Sequence, residues 1–129
     1  MKIIGTGVML QTSKGTYLLQ KRDMNAVMRP GMIAPFGGGV EGDESLKECA
    51  IREMKEELGL NLKVSNLEEI KLFESKEKPG IFIQMFLVRN VDQSIINLME
   101  GEAIVETSKE NALKNDEVTD FTKEVLNLL

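Results

Sequence analysis

The stretch GGVEGDESLKECAIREMKEELGL, residues 38–60, decides the fold of this chain. It reads as a glycine-rich turn leading into a helix that Gly59 closes, with Arg52, Glu53, Glu56 and Glu57 in the helix's C-terminal half. At about 100° of rotation per residue the three glutamates, at i, i+3 and i+4, share one side of that helix. Leu46 and Cys49 project in the same direction with Ala50 close by, so acid continues an inward-facing apolar stripe. Ionised carboxylates gathered against the body of a protein repel one another and lose hydration, a cost that a cation offsets. Hard divalent cations with oxygen ligands do this well. A solvated helix face is the plainer alternative for Lys55, Glu56 and Glu57, because glutamate is a good helix former.

Composition narrows the chemistry. A chain of 129 residues, 42% hydrophobic and 29% charged, is expected to form one domain, residues 1–129, with a core that needs no disulfide. A formal net charge of -5 argues against duplex nucleic acid, which clustered Lys and Arg hold. The sequence contains no histidine, which removes Ser-His-Asp and Cys-His catalysis and His-liganded zinc. Carboxylates must then carry any proton transfer. The single cysteine, Cys49, is expected to be a small core residue. The opening MKIIGTGVML reads as a first strand rather than a signal peptide, and no apolar run approaches the roughly 20 residues that span a bilayer. A cytoplasmic location without a membrane partner is the expectation.

Ile3–Gln11 and Thr16–Gln20 are β-forming runs joined by Thr12-Ser13-Lys14-Gly15, which predicts an antiparallel hairpin. The segment from Lys21 to Pro35 reads as a loop containing Met24, Met28 and Met32, either an adaptable wall for a base or a cover for the core edge. Arg22 is a candidate phosphate contact. Phe36, Gly37 and Gly39 are candidate substrate contacts, because consecutive glycines let backbone approach a ligand closely; a tight turn is the compatible structural reading. Leu60–Val64 and Ile70–Phe73 carry strand character, and IFIQMFLV at 81–88 is a candidate central strand. Its Phe82 and Phe86 are expected mainly in the core, with stacking on a nucleobase as the alternative. Ala103–Glu106 reads as a short strand. Ser108 caps a helix through Leu113, and Thr119 or Asp120 caps a last one with Phe121, Val125 and Leu128 buried. Strands broken by one central helix and ended by another predict an α/β protein with a mixed sheet between helical layers.

The spacing of the opening stretch is more specific than any of these. Gly38, five residues, Glu44, seven residues, Arg52-Glu53, apolar Met54, Lys55, Glu56-Glu57, Leu58, Gly59 and apolar Leu60 fill every constrained position of the Nudix box. The chain therefore resembles the Nudix (MutT-like) hydrolases, with Gly42-Asp43 where the family often has Pro-Gly. The resemblance implies an α/β/α sandwich, Mg²⁺ (or Mn²⁺) as cofactor and a nucleotide as small-molecule partner. It implies hydrolysis of a pyrophosphate bond in a nucleoside diphosphate linked to another moiety, a nucleoside triphosphate first, with nucleotide sugars or ADP-ribose as alternatives. A homodimer is common in the family. Glu53, Glu56, Glu57 and the Gly38 carbonyl would hold metal, and Glu44 would pair structurally with Arg52. Glu100, in a Leu-x-Glu-Gly pattern resembling the family's additional glutamate, and Glu53 are alternative general bases; Glu102 and Glu106 are further candidates in that region. A nucleotide-binding module that has lost catalysis is the competing class, although no box carboxylate is missing.

Overall fold

A computed structural model describes residues 1–25, 29–98 and 103–129. Its strands are β1 (Lys2–Thr12), β2 (Tyr17–Lys21), β3 (Ile33–Ala34), β4 (Phe36–Gly39), β5 (Glu68–Glu74), β6 (Ile81–Val91) and β7 (Ala103–Thr107), and its helices are α1 (Leu46–Leu58), α2 (Lys109–Lys114) and α3 (Asp120–Leu126). The strands form one mixed sheet in the order β3-β2-β1-β6-β5, with β4 paired to β1 and β7 to β2. The β1–β6 pair is parallel, while the pairs made by β1 with β2 and β4, by β2 with β3 and β7, and by β5 with β6 are antiparallel. The expected β1–β2 hairpin is present, and the 81–88 run lies between β1 and β5.

Side-chain alternation along β1 and β6 builds two cores. Val8, Leu10, Phe86 and Val88 face α1, where they meet Ala50, Met54 and Leu58. Met9, Met85 and Leu87 face the other way, against Ala112 of α2 and Val125 and Leu126 of α3. The sheet is thus sandwiched between helical layers, as expected. Phe82 is half-buried and Phe86 fully buried, which assigns Phe86 to packing.

α1 starts where local chemistry stops the preceding loop. Ser45 Oγ accepts from the Glu48 amide at 3.1 Å, and Glu48 Oε1 accepts from the Ser45 amide at 2.8 Å, a reciprocal capping box. The helix ends at Gly59 in the left-handed region, φ 62°. Ser108 and Thr119 cap α2 and α3.

Four expectations need correction. The glycine run is a strand rather than a turn, because β4 finds a partner in β1: Gly37, Gly38 and Gly39 lie opposite Gly7, Thr6 and Gly5. A two-residue strand, β3, interrupts the Lys21–Pro35 loop. Leu60–Val64 is not a strand; Leu60 and Leu62 pack on the α1-side core without pairing, and Val64–Asn66 forms one helical turn. Leu128 is exposed because α3 ends at Leu126, and Thr122 and Leu126 join Val125 in the buried stripe. Met28, Glu100 and Glu102 lie outside the described residues.

Close strand approach explains the glycines. A Cβ on Gly5 would sit 2.6 Å from the Gly38 carbonyl oxygen, and one on Gly37 would collide with the Thr6 carbonyl. Gly37→Ala is expected to lower stability by about 2–3 kcal/mol, the upper part of the usual range for single substitutions. Gly42→Ala, where φ is 57° but no atom lies within 4 Å of the new Cβ, should cost only about 1 kcal/mol. Urea-unfolding midpoints check the order, and equal losses at the two positions would refute the close-approach explanation.

Candidate active site on α1 and β4

The end of β4 and the C-terminal half of α1 meet through Arg52. Its Nη2 and Nε donate to Glu44 Oε1 and Oε2 at 2.8 and 3.1 Å, a two-point grip on one carboxylate. Nη1 donates to Glu53 Oε1 at 3.0 Å and Glu56 Oε2 at 3.2 Å, and Nη2 also donates to the Gly39 carbonyl at 2.9 Å. Glu41 Oε2 lies 3.6 Å from Nε. Glu44 in turn accepts the Glu41 amide at 2.9 Å, which folds the Val40–Glu44 loop onto the helix. Helix, loop and strand end are therefore tied by one guanidinium.

The three box glutamates differ in setting. The Glu53 side chain is 14% exposed, and its carboxylate lies directly over the Cα of Gly38, where a Cβ would collide with it. The Glu56 side chain, 56% exposed, reaches back only as far as Arg52. Glu57 is half-buried with one carboxylate oxygen shielded from solvent. The common side that the spacing predicts is present, yet among the described residues no three acidic, cysteine or histidine side chains are gathered at metal-holding geometry. Arg52 Nη1 takes one oxygen each of Glu53 and Glu56, so these two glutamates meet at a guanidinium.

The other sequence candidates separate. The Phe36 ring is 1% exposed in the α1-side core, so it packs rather than contacting substrate, a correction that follows from its register opposite Val8. Gly37 serves the strand contact, and the Gly39 carbonyl is occupied by Arg52. Arg22 follows β2, with its amide donating to Met32 O at 2.9 Å and its carbonyl accepting from Gly31. Glu106 accepts from the Thr16 hydroxyl at 2.6 Å and pairs with Lys14, beside the β1–β2 turn. Sequence reading overlooked Glu41 and the Ser45 cap; the Ser-x-x-Glu signature marks the latter in plain sight. Cys49 is fully buried beside this network, and burial pushes its thiol pKa up.

A cavity of about 660 Å³ opens on the opposite face of the sheet, with Met32, Phe73, Ile83, Val118 and Phe121 among its walls. Phe73 and Phe121 meet edge to face, ring centres 5.3 Å apart. The cavity lies on the α3 side but at the same end of the sheet as Gly39: Ile83 of β6 is registered with Gly5 of β1, and Gly5 with Gly39 of β4. Two strand spacings of about 4.8 Å separate that wall from the strand end that Arg52 grips.

A family model described as NUDIX domain matches residues 1–127. The m7GpppN-mRNA hydrolase NUDT17 of Bos taurus is 42% identical over 59 residues, 46% of this chain and 20% of that protein. The nucleoside triphosphatase NudI of Salmonella arizonae is 45% identical over 53 residues, 41% of this chain and 38% of that one. The matched stretch thus spans only a minor part of either relative. The crystal structure of the MutT protein from Methanosarcina mazei Go1 superposes with a TM-score of 0.77 at 26% identity, over 98% of this chain and 91% of that chain.

The hydrogen bonds from Arg52, then the Glu41 amide, hold the Glu44 carboxyl at a pKa of about 2, below its ordinary 4.5. Stability from this pairing is complete above pH 4.5 and is lost as pH falls through about 2, because the unfolded chain takes up the proton first. Glu44→Gln should therefore destabilise the protein near neutrality, and the gap to wild type should close across that acid window. Thermal midpoints over a pH series check this; a gap independent of pH would contradict the assignment.

Proposed function

The chain belongs to the Nudix family, as the match over residues 1–127 shows, and from that premise we propose that it hydrolyses a pyrophosphate bond in a nucleoside diphosphate linked to another moiety, with a nucleoside triphosphate as the leading substrate and Mg²⁺ as cofactor. The observation that carries this reading is the Glu53 carboxylate packed on the bare Cα of Gly38. A Cβ at position 38 would push the Glu53 carboxylate off the strand, whereas the bare glycine lets that carboxylate close on the backbone. The donor chemistry fits a hard divalent cation, since Glu53, Glu56, Glu57 and the Gly38 carbonyl offer oxygen alone. These four residues would hold Mg²⁺, and Mn²⁺ by the same donors. When bound, divalent cations supply Lewis acidity at the phosphoryl oxygens, a more acidic water and charge neutralisation of the leaving group.

The residues divide the remaining work. Arg52 orients Glu53 and Glu56, and Glu44 fixes Arg52. Water attacks phosphorus, the bridging P–O bond breaks, and a carboxylate takes the water's proton, because the chain has no imidazole. Glu53, largely shielded from solvent and held by Arg52 at 3.0 Å, suits that role; Glu100 is the second candidate. The nucleoside would enter the cavity across β1, where Phe73, Phe121 and Met32 provide apolar walls for a base. The name of NudI, a nucleoside triphosphatase, supports the same substrate class.

Turnover of nucleoside triphosphates, nucleotide sugars and ADP-ribose, assayed with Mg²⁺ and after chelation, tests the proposal. Chelation should abolish product release and added Mg²⁺ should restore it. Glu56→Gln and Glu57→Gln should each slow turnover by about 100-fold or more, because outer-shell changes alone commonly cost 10- to 100-fold at metal sites. Circular dichroism should show both variants folded, and near-normal turnover in both refutes the assignment.

A further inference from the structure

Two buried groups behind the Gly38–Gly39 peptide take no part in the chemistry above. Thr6, 4% exposed, is registered directly opposite Gly38 on β1 and points toward α1. Its hydroxyl lies 3.3 Å from the Cys49 thiol, which is fully buried. The thiol reaches the Gly39 carbonyl at 3.5 Å and the Gly38 carbonyl at 3.7 Å as a donor, and it lies 3.9 Å from Arg52 Nη2. A thiol carries one hydrogen, so it serves one of these carbonyls at a time, while its sulfur accepts from Thr6 or Arg52.

We propose that Cys49, oriented by Thr6, is a positioning residue that sets the tilt of the Gly38–Gly39 peptide and so the presentation of the Gly38 carbonyl. The consequence for metal binding rests on the reading of Gly38 as a ligand; the consequence for the peptide does not. Arg52 pulls the Gly39 carbonyl toward the acidic loop at 2.9 Å, and the Glu53 carboxylate presses on the Gly38 Cα from the helix. The Gly39 carbonyl belongs to the Gly39–Val40 peptide, so Arg52 holds that plane and not the Gly38–Gly39 plane, and glycine has no side chain to couple the two. Registry with β1, Thr6 opposite Gly38 and Gly5 opposite Gly39, sets the coarse position of these peptides, and the thiol adds a contact from the helix side that refines the direction of the two carbonyls. An apolar residue of the same size would fill the space without donating.

The discriminating set is wild type, Cys49→Val, Cys49→Ser and Thr6→Val, each metal-free. Two measurements are made: carbonyl chemical shifts of Gly38 and Gly39 by NMR, and Mn²⁺ dissociation constants by paramagnetic titration. A donating role predicts that Cys49→Val moves both shifts and weakens Mn²⁺ binding by about 3- to 10-fold, while Cys49→Ser, which keeps a donor, stays within about twofold of wild type. Thr6→Val should move the shifts in the same direction by less, and it serves in place of Cys49→Val if that protein does not fold. A role in packing alone predicts the reverse order, with valine matching wild type and serine worse, and that order overturns the proposal. Failure of wild type to bind Mn²⁺ counts against the metal reading, and the carbonyl shifts then decide the role of Cys49 alone.

Discussion

One guanidinium holds the acidic side of this protein in shape. Arg52 meets four carboxylates, from Glu41, Glu44, Glu53 and Glu56, and one main-chain carbonyl, from Gly39. A planar fork with donors on three nitrogens makes this possible; an ammonium group would serve as a point charge and could not hold Glu44 at two oxygens while reaching Glu53 on the other side. Isolated ion pairs at a surface contribute little, but this set is shared, partly shielded from water and spread over helix, loop and strand end. Loss of the arginine would leave the glutamates facing one another across a few ångströms, so the acidic side chains depend on this one group for their mutual arrangement, while core packing of Phe36 against α1 holds the helix to the strand.

The backbone side of that arrangement rests on sterics. β4 lies against β1 through glycines on both strands, and Gly38 lies under Glu53 with no room for a Cβ. The same compactness buries Cys49 within reach of the two carbonyls and Thr6 within reach of the Cys49 thiol. Electrostatics and sterics reinforce each other here: the guanidinium draws the strand end toward the helix, and glycine allows it to come close enough for the hydrogen bonds to form.

What could be read from the sequence follows the range of the interactions concerned. α1, its closing glycine, the β1–β2 hairpin and the β6 run were legible because each is specified by neighbours in the chain. The glycine run was misread as a turn because glycine carries no strand preference of its own, and only pairing with β1, some thirty residues away, makes it a strand. Phe36 shows the same limit: its position beside the glycines pointed to a ligand, whereas its register opposite Val8 turns the ring into the core. Leu60–Val64 has the composition of a strand, but its Leu60 and Leu62 are drawn into the α1-side core and the segment joins no strand of the sheet. At the site, spacing revealed which carboxylates share a helix side, but not that Arg52 stands between two of them, since rotation about a helix axis says nothing of where long side chains turn.

Charge decides what such a surface can bind. Four carboxylates against one guanidinium leave the Arg52 network negative, and the chain as a whole carries a formal charge of -5. A polyphosphate is itself densely negative, so direct contact between the two would be repulsive at every point along the chain of phosphates. Divalent cations held by the carboxylates would offset both repulsions, because each partner alone is most strained where its own charge is densest. Under the proposed function, recognition of phosphate by an acidic face would depend on cations rather than on basic side chains, and the cavity across β1, where Phe73, Phe121 and Met32 form an apolar part of an otherwise polar lining, would be left to distinguish one base from another.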